Sequence, residues 1–393
     1  MSQGKALIVG AGIGGLTSSL CLAGKGFDVQ VFEQTSSIEE VGAGLQLSSN
    51  CSRVLHHLGL ESAIREKAFL PEAAEIRDWQ TGSLISSTPL GESAIRNYGF
   101  PYYHIHRADL LGVLLDCANS HENIEIHTGS RVEGISESVS GVVLVCDGQE
   151  YEGDLLLGAD GIHSVTRSYL FGEENPGFTG NVAWRGVVRA DKISAGLIQP
   201  VAGLWWGPGK HFVHYYVSSG ELINCVCVVE KAGWEVESWS ERGDIDELKQ
   251  DFAGWHDSIC ALIDAMEPDD CFKWALHDRD PMSSWGRGRI TLLGDACHPT
   301  LPFLAQGAAM AIEDAAVLAA CLESRGENGV DEGLRKYASL RMERTARIQL
   351  ASRRNSKIFH MHGVKAWVRN QTAKKAAGNI LDWVYRYDAL VHS

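Results

Sequence analysis

The chain has little positive charge for its size. Its 393 residues include 35 Lys and Arg against 50 Asp and Glu, so the formal net charge is −15 at pH 7. A surface of this sign repels the phosphates of nucleic acids and the headgroups of anionic lipids. We therefore expect neither nucleic acid nor membrane as a partner.

Long apolar runs and paired cysteine motifs are also missing. No apolar stretch reaches the length of a membrane-spanning helix, and the first strand-like run begins so early that we expect no signal peptide. The ten cysteines include no C-x-x-C motif, and Cys225 and Cys227 have the spacing of neighbours on one strand face. We therefore expect reduced thiols and a cytoplasmic location.

A glycine-rich turn follows the first apolar run. The motif GAGIGG occupies residues 10–15, and Glu33 closes the next strand-like run. In this strand–turn–helix–strand context, Gly10 permits a tight turn, Gly12 lets the backbone approach a pyrophosphate, and Gly15 lets the helix pack closely. The helix N-terminus attracts the diphosphate, and Glu33 can bind an adenosine ribose while repelling a 2′-phosphate. The motif predicts a dinucleotide other than NADP and leaves NAD and FAD open.

Two further elements lie later in the chain. One is a strand-like run that ends near Asp295, followed by a loop that opens a helix of small residues at Gly307. A carboxylate at a strand end can hold the hydroxyls of a ribityl chain, and a helix N-terminus suits the electron-rich edge of a flavin. The other element is the strand-like run LLLG, followed by Asp160 and Arg167.

In this order, the three elements resemble the fingerprints of the single-component flavoprotein aromatic hydroxylases, which include the 4-hydroxybenzoate and salicylate hydroxylases. The resemblance extends from Ala6 to about Arg354. It implies FAD as the bound cofactor, NADH (or NADPH) as the reductant, and O₂ as the source of the new hydroxyl. Because there is no second Rossmann fingerprint, the nicotinamide would bind transiently. The alternative for the glycine turn alone is an NAD dehydrogenase.

The predicted fold class is α/β, with a Rossmann-like FAD-binding domain, an interleaved β-sheet substrate domain and C-terminal helices. The FAD-binding domain is predicted to be discontinuous and to comprise residues 1–70, 99–178 and 272–325. Residues 71–98 and 179–271 form the predicted β-rich substrate domain, and residues 326–393 form the C-terminal helical region. We expect a monomer or a homodimer.

The resemblance assigns further residues to the cofactor. Arg107 stands in the H-R-x-D-L context in which family members contact FAD; the alternative is a surface arginine paired with Asp109. By the same resemblance, Asp160 and Arg167 are tied to FAD and nicotinamide binding, and the alternative for Asp160 is a structural role in its turn. The predicted cofactor-binding set is Gly10, Gly12, Gly15, Glu33, Arg107, Asp160, Asp295 and Gly307.

The prediction of the substrate site depends on the strand-like run 211–217. His211 and Tyr215 face one way, whereas His214 and Tyr216 face the other. By resemblance to hydroxybenzoate and hydroxynicotinate hydroxylases, His211 and Tyr215 are the predicted catalytic residues, with the histidine as base for a phenolic O–H. The alternatives are the opposite face or ordinary packing. The predicted pocket residues are Arg185, as partner of a ring carboxylate, together with Trp206, Pro302 and Phe303; the alternative for Arg185 is a structural salt bridge.

The predicted activity is hydroxylation of a phenolic aromatic acid, with salicylate as the leading substrate (a salicylate 1-monooxygenase of aromatic hydrocarbon catabolism). The alternatives are a 3-hydroxybenzoate 6-hydroxylase, a hydroxynicotinate-type hydroxylase, or a flavin monooxygenase for lipid or polyprenyl substrates. The chain lacks the histidines that hydroxynicotinate enzymes carry in the segments matching Gln46 and Phe303. Pro302 stands where some 3-hydroxybenzoate 6-hydroxylases have a glutamine.

Three groups of polar residues are predicted to have no catalytic or metal-binding role. Cys297 and His298 are adjacent, but no further ligands follow at a matching spacing, so no metal site is predicted. The basic run within residues 341–354 has helical spacing and predicts a solvated face. His360 is expected at a solvated helix terminus.

Overall fold

The structure is a computed structural model that describes residues 2–38, 44–231, 233, 241–323, 329–375 and 381–392. The strands, in chain order, are β1 (Lys5–Val9), β2 (Asp28–Glu33), β3 (Gly44–Leu47), β4 (Ala73–Asp78), β5 (Leu84–Pro89), β6 (Tyr103–His106), β7 (Ile124–Thr128), β8 (Val132–Glu137), β9 (Val142–Cys146), β10 (Gln149–Gly153), β11 (Leu155–Gly158), β12 (Gly177–Arg189), β13 (Ala202–Gly207), β14 (Lys210–Val217), β15 (Leu222–Glu230), β16 (Phe272–Asp278), β17 (Gly286–Arg287) and β18 (Ile290–Leu292). The α-helices are α1 (Ile13–Gly24), α2 (Ser49–His57), α3 (Glu61–Lys67), α4 (Gly91–Tyr98), α5 (Arg107–Asn119), α6 (Val165–Phe171), α7 (Ile245–Asp251), α8 (Asp257–Asp264), α9 (Gly307–Glu323), α10 (Gly329–Phe359), α11 (Gly363–Lys375) and α12 (Asp382–Tyr385).

A six-stranded sheet in the order β17–β18–β11–β1–β2–β7 carries the glycine-rich turn. The strands from β18 to β7 are parallel, and their central members are apolar and buried because α1, α5 and α9 pack nearby. Parallel strands bring their carboxyl ends to one edge, where α/β proteins bind their ligands. The turns after β1, β11 and β18 and the end of β2 therefore meet at this edge.

A second sheet has seven strands in the order β16–β12–β15–β14–β13–β4–β5. Strands from both predicted substrate-domain segments, 71–98 and 179–271, belong to it. Strand β16 also belongs to it, although it falls in the segment 272–325 that we predicted for the FAD-binding domain. One face of the sheet is covered by α7 and α8, with Trp184, Phe212 and Phe252 among the buried side chains. The division into domains stays a prediction.

The C-terminal helices correct the expectation of a solvated basic face. Arg341 on α10 is fully buried and contacts Glu313 Oε2 at 2.7 Å and Asp314 Oδ1 at 2.6 Å, both on α9. Arg344 is also largely buried and pairs with Glu313 at 2.7 Å. The run is helical as predicted, but Arg341 and Arg344 meet buried carboxylates and not water, whereas Arg347 and Arg354 are exposed. Within the described ranges, none of the helices combines the length and apolar composition that a membrane crossing requires.

Candidate active site

The glycines of the first turn have different surroundings. Gly10 has a φ of +99°, and a Cβ there would lie 2.5 Å from the carbonyl oxygen of Ala159. A Cβ on Gly15 would lie 1.9 Å from the carbonyl oxygen of Gly10. Gly12 is the N-cap of α1, and its Cβ would meet no atom of the described residues within 4 Å. The protein's own packing thus requires Gly10 and Gly15, whereas Gly12 borders open space at a helix N-terminus, where an anion is stabilised.

Two carboxylates border this edge of the six-stranded sheet. Glu33 accepts hydrogen bonds from the N–H of Ala11 at 3.0 Å and of Thr35 at 2.9 Å, so it fixes the glycine turn. Asp295 lies in the turn after β18. It is exposed, yet desolvation raises its carboxyl pKa despite the opposing charges of His298 and Arg107. A carboxylate in this position can accept hydrogen bonds from a group that carries hydroxyls.

Arg107 connects this edge to the seven-stranded sheet. Burial lowers the pKa of its guanidinium and Asp295 raises it, so the two side chains are electrostatic neighbours. Burial and the charge of Arg107 lower the pKa of Arg185 to about 10. Asp109, the alternative partner of Arg107, accepts a hydrogen bond from Ser218 Oγ at 3.1 Å. The half-buried Arg107 is therefore an electrostatic neighbour of both the Asp295 carboxylate and Arg185.

Asp160 bonds to its own loop. Its carboxylate accepts hydrogen bonds from Ser164 Oγ at 2.5 Å and from the N–H and Oγ1 of Thr166, each at 3.0 Å. Burial raises its pKa, and these bonds oppose the rise. The contacts support the structural alternative for Asp160. It nevertheless follows β11 at the carboxyl edge, and its assignment to FAD stays a prediction.

The register of the seven-stranded sheet brings four predicted substrate-site residues to one face. His211 on β14 pairs with Trp206 on β13. Arg185 on β12 lies in the same cross-strand row as Val213, the residue between His211 and Tyr215. Paired residues, and alternate residues along a strand, point to the same face. Arg185 therefore lies two strands from the His211–Tyr215 row, about 10 Å at the usual strand spacing.

This face meets the segment that leads into α9. Phe303, in the 3₁₀ turn Pro302–Leu304, has its ring 5.1 Å from that of His211, whereas Pro302 is exposed. Tyr215 packs its ring 4.6 Å from that of His104 on β6, the strand that ends immediately before Arg107. Because Phe303 follows Asp295 closely in the chain, the aromatic face lies beside the edge of the six-stranded sheet. Gly307 begins α9 there and is half-buried.

The opposite face of β14 packs against α7 and α8. His214 accepts a hydrogen bond from Trp205 Nε1 at 3.0 Å, and both are buried on the side covered by α7 and α8. His211 and Tyr215 therefore belong to the face that meets Phe303. Their catalytic roles stay predictions.

The sequence analysis did not predict one contact of His211. His211 Nδ1 lies 2.8 Å from His360 Nε2, and His360 Nδ1 lies 3.0 Å from Glu230 Oε1. The expectation of a solvated His360 is wrong, because the side chain is buried between β14 and the end of β15. Burial and the neighbouring His360 hold the pKa of His211 well below its usual value, so the ring is neutral. The partners are 149 residues apart, and no local pattern signals the contact.

His298 has a structural partner. Its Nε2 lies 2.5 Å from Asp314 Oδ2, inside the cluster that also holds Arg341. Across the part of the chain that the structure describes, no three His, Cys, Asp or Glu side chains are grouped to hold a metal ion.

A family comparison agrees with this geometry. The model of the FAD binding domain family matches residues 3–352. The chain belongs to this family. The matched range includes the glycine turn, Glu33, Arg107 and Asp295, and the assignment of these residues to FAD stays a prediction.

Curated relatives of this FAD binding domain protein are similar over nearly their whole length. It is 37% identical over 389 residues to the 3-amino-4-hydroxybenzoate 2-monooxygenase PtmB3 of Streptomyces platensis, covering 97% of the chain and 96% of the relative. It is 36% identical over 360 residues to the 6-hydroxynicotinate 3-monooxygenase of Pseudomonas fluorescens, covering 91% and 92%. It is 36% identical over 389 residues to the 3-hydroxybenzoate 6-hydroxylase of Polaromonas naphthalenivorans, covering 97% and 96%.

Solved structures share the fold of this FAD binding domain protein. Klebsiella pneumoniae HpxO complexed with FAD and uric acid has a TM-score of 0.86 and 28% identity, covering 99% of this chain and 97% of that one. A salicylate hydroxylase substrate complex has a TM-score of 0.81 and 26% identity, covering 99% and 96%. The predicted resemblance, α/β fold class and cofactors are thereby confirmed. The chain is an NAD(P)H- and FAD-dependent aromatic monooxygenase.

Proposed function

We propose that the chain hydroxylates a monocyclic aromatic carboxylate that already carries a ring hydroxyl, at the carbon para to that hydroxyl. One observation carries the proposal: a neutral, buried His211 lies on an aromatic-lined sheet face beside the FAD edge. Its Nδ1 is engaged by His360, which leaves Nε2 for a ligand. A neutral imidazole at that position suits the removal of a phenolic proton.

Two of the three reported relatives support the para position, whereas the name 3-amino-4-hydroxybenzoate 2-monooxygenase places the new oxygen meta to the ring hydroxyl and ortho to the amino group. The names 3-hydroxybenzoate 6-hydroxylase and 6-hydroxynicotinate 3-monooxygenase each combine ring positions 3 and 6, which are para to one another. A phenolate directs electron density to its ortho and para carbons, so loss of the phenolic proton activates those carbons. These names favour our alternatives over salicylate as the substrate.

The proposed pocket residues divide the work of binding and activation. When bound, FAD would accept hydride from NAD(P)H and activate O₂. His211 takes the phenolic proton, and Phe303 and Trp206 provide apolar walls that exclude water. Burial raises the pKa of Tyr215, so its hydroxyl stays protonated and can donate a hydrogen bond. Arg185, stacked 5.3 Å from Phe272 and near Arg107, pairs with the ring carboxylate.

Salicylate is the second candidate substrate. The similar fold of a salicylate hydroxylase supports it, and so does Pro302 in the position where some 3-hydroxybenzoate 6-hydroxylases have glutamine. Attack at the carboxyl-bearing carbon of salicylate would release CO₂ and give catechol. Attack para to its hydroxyl would give gentisate.

The test is turnover of the FAD-loaded protein with NADH and four acids: 3-hydroxybenzoate, 6-hydroxynicotinate, 3-amino-4-hydroxybenzoate and salicylate. Chromatography identifies the product, and peroxide measures reducing equivalents lost without hydroxylation. We expect a para-hydroxylated product from at least one acid. NADH oxidation that yields peroxide alone with all four would refute the proposal.

The role of His211 needs its own comparison. His211→Gln should slow hydroxylation by roughly 10²-fold or more, the usual size of a general-base contribution, while flavin reduction continues and peroxide accumulates. His214→Gln, on the opposite face of the same strand, is the matched control. A larger loss of coupling in His214→Gln than in His211→Gln would show that the wrong face had been chosen.

A further inference from the structure

Three side chains form a continuous hydrogen-bonded chain from the pocket to the surface. His211 is 3% exposed, His360 is 3% exposed and the side chain of Glu230 is 58% exposed. The ring-to-ring distance of 2.8 Å and the ring-to-carboxylate distance of 3.0 Å are both hydrogen-bond distances. We propose that His360 and Glu230 form a proton relay that carries the phenolic proton from His211 to solvent. The inference rests on the proposed role of His211.

The relay is held by the backbone around it. The N–H of Gly209, in the turn between β13 and β14, donates to the carbonyl of His360 at 3.0 Å, and the carbonyl of Gly209 accepts from the N–H of Glu230 at 2.9 Å. One turn residue therefore fixes both relay residues relative to β14. Gly209 has a φ of +68°, the left-handed region that suits glycine in such a turn.

Helix α11 fixes His360 from the other side. Arg369 Nη1 donates to the carbonyls of Ile358 at 2.9 Å and Phe359 at 2.7 Å, and so caps the C-terminus of α10 immediately before His360. The same guanidinium stacks 4.5 Å from the ring of Trp206, which lines the pocket. The relay is thus anchored to the β13–β14 turn and to α11.

The proton count requires two tautomer changes. Initially His211 donates Nδ1–H to His360 Nε2, and His360 donates Nδ1–H to Glu230. When the phenolic O–H bond breaks, its proton binds His211 Nε2, the Nδ1 proton passes to His360 Nε2, and the His360 Nδ1 proton passes to Glu230. Glu230 then loses this proton to water. Both rings end neutral, and the pocket retains only the phenolate charge.

The charges around the relay favour the outward direction. Burial disfavours a cationic His211, and a second histidine at its Nδ1 disfavours it further, so the proton is held weakly there. Burial also lowers the pKa of His360, but the bond to Glu230 raises it, and Arg369, itself near Asp78, lowers it. Within the relay, a proton therefore gains a carboxylate partner only at the solvent end, where Glu230 lies.

Proton release can be measured without turnover. The oxidised, FAD-loaded protein is mixed in a stopped-flow instrument with 3-hydroxybenzoate in weakly buffered solution at pH 7.5, well below the pKa of about 10 for an ordinary phenol. Ultraviolet absorbance reports phenolate formation, and a pH indicator reports protons that reach solvent. The two signals separate the base from the relay.

Substitutions then interrupt each step. His360→Gln keeps hydrogen-bonding atoms but cannot pass a proton, and Glu230→Gln removes the exposed acceptor while leaving the buried ring in place. We expect each to slow indicator-detected release at least tenfold. Release in His360→Ala should recover as imidazole is added, which a purely structural role would not produce. His362→Gln, an exposed histidine two residues on, is the matched control and should release protons at the wild-type rate.

The outcomes distinguish the two proposals. Phenolate formation with unchanged proton release in both His360→Gln and Glu230→Gln would overturn the relay and leave the role of His211 standing. Phenolate formation without any proton release in the wild type would also overturn the relay. The same mixing is repeated with the other three acids, and a wild type that forms phenolate with none of the four would overturn the proposed function, and the relay with it.

Discussion

Two alanine substitutions in one glycine motif should produce opposite defects. At Gly15 a Cβ would lie 1.9 Å from the carbonyl oxygen of Gly10, an overlap that forces α1 away from β1. Overpacking of this kind costs about 1–3 kcal/mol or more, against a gain of about 1 kcal/mol for replacing glycine inside a helix. At Gly12 the Cβ enters open space, and the backbone φ of −72° suits alanine. The cost to the apoprotein is then the modest N-cap preference, about 1 kcal/mol or less.

The affinity for FAD should respond in the opposite way: Gly12→Ala should weaken FAD binding although it changes the stability of the apoprotein little. Gly12→Ala puts a methyl group where the diphosphate approaches the N-terminus of α1, so we expect FAD to bind at least tenfold more weakly, or about 1.4 kcal/mol. Flavin fluorescence titration measures the affinity, and urea denaturation of the apoprotein measures the free energy of unfolding. Wild-type FAD affinity in Gly12→Ala would refute the path of the cofactor over Gly12. Wild-type apoprotein stability in Gly15→Ala would refute the packing argument.

Other expectations concern charged groups. Asp295→Ala should weaken FAD binding about ten- to a hundredfold by removing a charge-assisted hydrogen bond of roughly 1.5–3 kcal/mol; unchanged FAD retention would refute its assignment. Arg341→Met should lower the free energy of unfolding by about 3–5 kcal/mol in urea, because Glu313 and Asp314 lose a buried cation. Despite their burial, nearby cationic groups hold the pKa values of both carboxyls below their ordinary range, so their stabilising contribution is present above about pH 4 and is lost as pH falls below it. The midpoint temperature of thermal unfolding should therefore fall between pH 6 and about pH 3, and this fall should be smaller in Arg341→Met. Arg185→Met should raise KM for the carboxylate substrates at least tenfold, and less for a phenol without a carboxylate; equal effects on both would refute a carboxylate contact.

The prediction of FAD as the cofactor depended on local sequence patterns. The strand–turn–helix pattern around Gly10 and Gly15 encodes its own geometry, because each glycine is required by atoms within the same unit or the adjacent strand. The strand spacing of His211 and Tyr215 likewise predicted a shared face, which the sheet register reproduces. Such features depend on periodicity and short-range sterics, and both are visible in one sequence.

The errors have a common physical origin. The spacing of the arginines near Arg341 correctly indicated a helix, but spacing does not tell which of them meet water and which meet a buried carboxylate. His360 follows the end of a long helix, where solvent is the usual neighbour, and its burial depends on a turn far away in the chain. The pairing of β16 with β12 in the second sheet is likewise not revealed by the sequence of β16, and the domain boundary near residue 272 stays a prediction.

The electrostatics of the pocket explain how a chain of net charge −15 can accept an anionic acid. Arg107 and Arg185 lie close enough for one to lower the pKa of the other, and at about 10 the pKa of Arg185 keeps its guanidinium protonated at neutral pH. Two like charges in a poorly solvated interior repel one another, and an anion bound between them relieves the repulsion. Asp295 is a further electrostatic neighbour of Arg107. We expect a ring carboxylate on the aromatic sheet face to be attracted to the Arg185 guanidinium, because the acidic outer surface is screened by distance and salt.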